Sequence, residues 1–145
     1  MLTYDSGTAL ILVDIQNDFA DPAGSLPAPG GMEVVAAANQ EIEQAQAAGA
    51  FVVYSQDWHP RETAHFAEFG GIWPVHCVAG TWGAEFAPGL EVGGEVIRKG
   101  SNGEDGYSAF TMRDPASGET LPTALGGMLS ERGIKRAVVI GLATD

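Results

Sequence analysis

Residues Ala9-Leu10-Ile11-Leu12-Val13-Asp14 decide the fold. A strand with one wet face alternates apolar and polar side chains. A run that is apolar throughout needs cover on both faces, as in a parallel sheet sandwiched between helices. Asp14 ends the run with a charge that a buried strand would not carry onward.

Three further segments repeat this pattern. Ala50-Phe51-Val52-Val53-Tyr54-Ser55 reads as a second strand, with Asp57 just past it. Glu95-Val96-Ile97-Arg98 is a short third strand with Lys99 at its end, and Ala137-Val138-Val139-Ile140 is a fourth, followed by Gly141-Leu142-Ala143-Thr144-Asp145. A helix is expected from about Gly31 to Ala48, because Val34, Val35, Ala38, Ile42 and Ala45 recur at helical spacing and Gly49 suits the position after a helix end. A second helix is expected over Thr123 to Arg132, closed by Gly133. Strand, helix, strand, long loop, strand, helix, strand is the order of an α/β domain with a mostly parallel sheet flanked by helices. Ligands of such sheets bind outside the carboxyl ends of the strands. Here those ends carry Asp14, Asp57, Lys99 and the Gly141–Asp145 turn.

The 145 residues suit one domain, and a 45% hydrophobic fraction supplies an ordinary core. Seven basic residues face nineteen acidic ones, for a formal net charge of -12. Nucleic acid and anionic membrane surfaces need basic patches, so both are set aside as partners. With one cysteine, Cys77, no disulfide can form within the chain. The N-terminus lacks the basic and apolar regions of a signal peptide, and a cytoplasmic location is expected. The fourth strand ends in a turn at the last residue, which leaves the sheet edge uncovered, so the C-terminal part of the domain is expected to be missing. Oligomeric state is left open, a homo-oligomer being compatible with the sequence.

Four features bear on chemistry. The long stretch to Gly94 holds all three histidines, His59, His65 and His76, and all three tryptophans. Asp57 and His59 lie two residues apart beyond a strand. With a further imidazole they can face one centre and leave positions open, a donor set that suits zinc, iron or manganese. The bland alternative is three unrelated loop histidines. Asp14 and Lys99 end separate strands and could be neighbours. The lysine would hold the carboxylate ionised and lower the pKa of a nearby thiol, or the two form only a structural ion pair. The Gly141–Asp145 turn can aim backbone N–H groups into a site as an oxyanion hole, or be a plain strand-to-helix turn. Phe19 and Trp73 could flank a flat aromatic substrate or simply pack. Cys77 has no local base or oxyanion donors and reads as a bystander.

Together these segments resemble the nicotinamidase/pyrazinamidase group of the isochorismatase-like cysteine hydrolases. The matching stretches are Ala9 to Phe19, Asp57-Trp58-His59-Pro60, His65-Phe66, Trp73-Pro74-Val75-His76-Cys77-Val78, Gly80-Thr81, Lys99-Gly100, Tyr107-Ser108-Ala109-Phe110 and Gly141 to Asp145. They follow the family order along nearly the whole chain. The resemblance implies a Rossmann-like three-layer fold, with residues 1–145 as a single isochorismatase-like hydrolase domain truncated at its C-terminus. It implies that Asp14 is the acid–base and Lys99 the lysine of a Cys–Asp–Lys triad. It assigns Asp57, His59 and His76 to a divalent metal, zinc ahead of iron or manganese, with His65 as a variable further ligand. Phe19 and Trp73 would hold the pyridine ring of nicotinamide. The Ala143 N–H would serve the oxyanion hole after a cis peptide bond. The family's cysteine would follow Asp145 after one intervening residue, so the chain ending at Asp145 is expected to be inactive alone. The activity implied is conversion of nicotinamide to nicotinate and ammonia.

The rivals are another hydrolase of the same superfamily, acting on a different small amide or a vinyl ether, a metallohydrolase using metal hydroxide alone, and a non-catalytic metal-binding fragment.

Overall fold

The apolar run at the N-terminus becomes β1 (Thr8–Val13), in which Ala9, Leu10, Ile11 and Leu12 are essentially fully buried. The computed structural model describes residues 2–144. After β1 come a single helical turn α1 (Asn17–Ala20), the helix α2 (Glu33–Ala47) and β2 (Phe51–Asp57). Next follow β3 (Glu95–Lys99), β4 (Thr111–Arg113), β5 (Thr120–Pro122), α3 (Leu125–Glu131) and β6 (Arg136–Gly141). Four strands form one parallel sheet in the order β3-β2-β1-β6.

Alternate side chains of β1 and β2 serve different layers. Leu10, Leu12, Val52 and Tyr54 pack with Val35, Ala38, Ile42 and Ala45 of α2. Ile11 and Val53 pack with Ile97 and with Leu125 of α3 on the other face. This is the expected three-layer arrangement, and it explains why β1 is apolar from Ala9 to Val13. Gly49, at φ 71°, takes the left-handed conformation that ends α2. Both helices are shorter at each end than the expected ranges.

Two elements do not follow from the apolar pattern. One is α1. The other is the antiparallel hairpin of β4 and β5, in which Met112 pairs with Leu121. Its strands are three residues each, too short to show alternation. The long stretch after β2 is ordered by isolated bridges: His59 beside Val78, Phe66 beside Trp73, and Gln16 beside Phe86. No helix among the described residues is long and apolar enough to cross a membrane.

Candidate active site

Parallel register places the charged strand tips together. Asp57 and Lys99 are paired residues at the ends of β2 and β3. Val13 pairs with Ser55 on one side and Gly141 on the other, so Asp14 emerges between the tips of β2 and β6. Asp14 then turns at φ 49°, an uncommon conformation for a non-glycine residue. Its Oδ1 accepts from Ser55 Oγ at 2.5 Å, and its Oδ2 accepts from Lys99 Nζ at 2.7 Å. Lys99 Nζ also lies 3.3 Å from Asp57 Oδ1, near enough to attract it but off the hydrogen-bond direction. All three side chains are buried.

Two carboxylates thus share one ammonium, and the sharing is unequal. Burial, and then the neighbouring Asp57 charge, push the Asp14 carboxyl up to about 6, and Lys99 only partly offsets them. Burial alone would raise Asp57 as well, but the facing His59 and His76 imidazoles and Lys99 outweigh it and hold Asp57 well below the usual carboxylate range. Burial would lower Lys99, and the two carboxylates more than compensate, so its pKa is raised and it stays charged. Lys99 lowers the Asp14 pKa, as expected of a neighbouring ammonium, but by less than burial and Asp57 raise it. The lysine is present, but desolvation and a second carboxylate move Asp14 toward neutral pH, where a proton acceptor works best.

The histidines arrive by bridging within the long loop. His59 N donates to Cys77 O at 2.9 Å and Ala79 N donates to His59 O at 2.8 Å, which brings His76 alongside His59. Ala67 N donates to Trp73 O at 2.7 Å and carries His65 and Trp73 to the same place. One ligand-capable atom from each of His59, His65 and His76 lies within 4.8 Å of the others. His76 Nδ1 faces Pro74 O at 2.7 Å, which frees Nε2 toward Asp57. His59 Nε2 and His76 Nε2 stand 3.6 and 3.7 Å from Asp57 Oδ2. Those separations are long for hydrogen bonds, yet within the ~4.2 Å that two donors on one ion can span. Both ring nitrogens of His59 and Asp57 Oδ1 are buried without hydrogen-bond partners. Buried polar atoms without partners are costly, and this set of imidazole and carboxylate donors suits a divalent ion. Burial lowers the pKa of His65 and favours its neutral, ligating form.

Asp14, Asp57, Lys99, His65 and His76 line one cavity of about 230 Å³, with Phe19 and Trp73 on its walls and Ala143 at the β6 tip. His59 is fully buried behind it. Three participants were not legible beforehand. Tyr107 lines the cavity, and its hydroxyl accepts from Trp73 Nε1 at 2.9 Å. Gln16 brackets the end of β2: its Oε1 accepts from Asp57 N at 2.8 Å, and its Nε2 donates to Asp57 O at 2.8 Å and Ala84 O at 2.9 Å. Asp105 faces His65 Nδ1 at 2.6 Å. Tyr107 lay within a matched stretch and Gln16 follows Asp14 closely, but nothing in the spacing marks Asp105.

Two expectations need correction or limits. No cis peptide bond occurs among the described residues, so the bond before Ala143 is trans; Ala143 instead makes its turn at φ 47°. The trans form is the intrinsically favoured one, by about 3 kcal/mol for a non-proline bond. Asp145 lies outside the described residues. Cys77 is fully buried, with its Sγ 3.7 Å from Gly83 O, and burial followed by the Asp57 charge pushes its thiol far up. It is not a poised nucleophile.

Known proteins resemble this chain in sequence and in fold. A family model described as Isochorismatase domain matches residues 8–145. A nicotinamidase of Escherichia coli (strain K12) is 37% identical, over 94% of this chain and 70% of its own length. The crystal structure of a pyrazinamidase of Pyrococcus horikoshii in complex with zinc superposes with a TM-score of 0.80 at 37% identity, covering 94% of this chain and 70% of that one. An L. infantum structure in complex with nicotinate gives a TM-score of 0.86 at 35% identity, covering 97% and 70%.

Proposed function

This chain belongs to the isochorismatase domain family, on its nicotinamidase/pyrazinamidase branch of hydrolases acting on carbon–nitrogen bonds, and from that premise we propose that it forms the amide pocket of a nicotinamidase. The single observation that carries the reading is the Lys99–Asp14 contact of 2.7 Å inside the cavity that also holds the imidazoles. The cavity of about 230 Å³ falls below the ~300–1,000 Å³ of drug-sized pockets and suits one flat ring bearing a carboxamide.

Phe19 and Trp73 hold the ring between them. Asp57, His59 and His76, with His65, hold a divalent ion, for which zinc is the first choice. When bound, such an ion supplies a Lewis-acid position for a ring nitrogen and for water. Asp14, its pKa raised to about 6, takes the proton of an attacking thiol. That thiol is the cysteine that the resemblance puts after Asp145 with one residue between. Lys99 stays positive and favours the thiolate. Carbon–sulfur bond formation gives a tetrahedral intermediate whose oxygen the Ala143 N–H steadies. Asp14 returns the proton to the departing ammonia. Water then cleaves the thioester, its proton passing through Asp14, and nicotinate leaves.

The test is ammonia release from nicotinamide by a chain carrying the sequence beyond Asp145, supplied with zinc, iron or manganese. Turnover that disappears in Asp14→Asn supports the reading. No ammonia from any of the three preparations, or full activity in Asp14→Asn, overturns it.

A further inference from the structure

The β4–β5 hairpin has no counterpart in the apolar pattern, and it supplies no ligand to the imidazole cluster. Its connection to the site runs through Asp105. Asp105 Oδ1 lies 2.6 Å from His65 Nδ1, and both side chains are at most 8% exposed. The other carboxylate oxygen lies 3.4 Å from an Arg113 guanidinium nitrogen on β4. The two main chains close a ring as well: Asp105 N donates to Arg113 O at 2.7 Å, and Arg113 N donates to Asp105 O at 3.1 Å. On the opposite side, Thr63 Oγ1 donates to Gly103 O at 2.9 Å and accepts from His65 N at 3.2 Å. The His65 ring is thereby clamped from its backbone and from Nδ1, and it stacks on His59 at 4.5 Å.

We infer that Asp105, anchored by Arg113, is a positioning residue that decides whether His65 ligates the metal. The inference rests on the metal reading above. An imidazole whose Nδ1–H is held by a carboxylate presents a lone pair at Nε2, in a fixed direction and with raised basicity. Without Asp105 the ring can take either tautomer and rotate away, since the remaining tie, at Thr63, reaches only its backbone. Gly106 extends the same strap inward. A Cβ there would come within 2.9 Å of Lys99 Cβ and 3.1 Å of Asp57 Oδ1, so the segment sits directly against the charged pair. The hairpin then acts as a brace for one ligand of the cluster.

The experiment uses this chain stripped of metal. Cobalt(II) is titrated into the parent chain, Asp105→Ala, Asp105→Asn and His65→Ala, with affinity and the visible ligand-field bands recorded. Asp105→Ala is expected to weaken cobalt binding by roughly 10–100-fold and to give the bands of His65→Ala. Asp105→Asn, which keeps a neutral acceptor, is expected to recover most of the loss. A second measurement needs no variant: long-range proton–nitrogen spectra of the metal-free parent chain should show His65 carrying its proton on Nδ1. Cobalt affinity in Asp105→Ala within twofold of the parent, or a His65 proton on Nε2, overturns this inference alone. A parent chain that takes up no cobalt overturns the metal reading, and the role of Asp105 falls with it.

Discussion

Lys99 Nζ donates to Asp14 Oδ2 at 2.7 Å across 85 residues of sequence. Both residues are buried, and a second carboxylate, Asp57, faces the same ammonium from 3.3 Å. A stability-driven design would avoid this cluster. Desolvating an ion pair costs several kcal/mol per ion, and the extra acid is left competing for one positive charge. Its value lies in unequal proton affinities. In the proposed function, Asp57 stays ionised beside the imidazole cluster while Asp14 takes and returns a proton.

Replacing Lys99 by Met tests that division of labour. The substitution keeps much of the volume and leaves two buried carboxylates face to face. Chemical denaturation should show a loss of about 3–5 kcal/mol, the usual cost of breaking a buried pair from one side. A loss under about 1 kcal/mol would mean that the pair is solvated or unimportant.

The pH profile follows from the Asp14 pKa of about 6. Below that pH the carboxyl is protonated and cannot accept the thiol proton. In a chain carrying the sequence past Asp145, kcat/KM should therefore fall about tenfold per pH unit on the acid side of about 6. For stability the sign is reversed. A carboxyl whose pKa is raised on folding contributes stability that is fully present below its unfolded value of about 3.9 and is lost as pH rises through about 6. Asp57, whose pKa is depressed, has the opposite slope: its contribution is present above about pH 3.9 and lost on further acidification. In the metal-free chain, Asp14→Asn should remove the decline between about pH 4 and 7 seen by denaturation of the parent. A parent and variant with identical slopes would contradict the assignment.

Gln16 should matter as much as a core residue. Gln16→Leu strips the amide partners from Asp57 N and Asp57 O, while Ala84 O keeps its bond from Gln56 Nε2 at 2.9 Å. Each buried group left unsatisfied costs about 1–3 kcal/mol, with partial relief from entering water. A net loss of about 2–4 kcal/mol is expected by urea denaturation. A value near zero would show that the β2 tip holds its shape without the side chain.

Gly100 is a stricter probe of the proposed metal site. It sits at φ 71°, and a Cβ there would fall 2.4 Å from His59 Nδ1. Gly100→Ala should cost about 1–2 kcal/mol from the backbone conformation alone. It should also displace the His59 ring, lowering cobalt affinity by at least about tenfold in the same direction as losing a ligand-orienting contact. Unchanged metal binding would place His59 outside the ligand set.

The frame of the candidate site was legible in the sequence because it is local. A run such as Ala9–Val13 declares a doubly buried parallel strand, and such strands deliver their next residue to one edge. Asp14, Asp57 and Lys99 could be placed on that edge from their positions alone. The histidines followed from their confinement to one loop and from the family resemblance. What could not be read depends on bonds between distant segments. Gln16 reaches Asp57 across 41 residues, and Asp105 reaches His65 across 40. The hairpin that anchors Asp105 has strands too short for any period to emerge. The trans bond before Ala143 could not be read from the resemblance, which pointed the other way.

The account stands on a single site in which the imidazole cluster and the aromatic walls meet the same small molecule. The most direct measurement is a nicotinate titration of the cobalt-loaded chain, followed by the visible bands of the ion. Saturable band shifts that are lost in Trp73→Ala are the expected result. Cobalt bands that ignore nicotinate at every concentration, in a chain that demonstrably binds both, would separate the metal from the ring pocket and contradict the account.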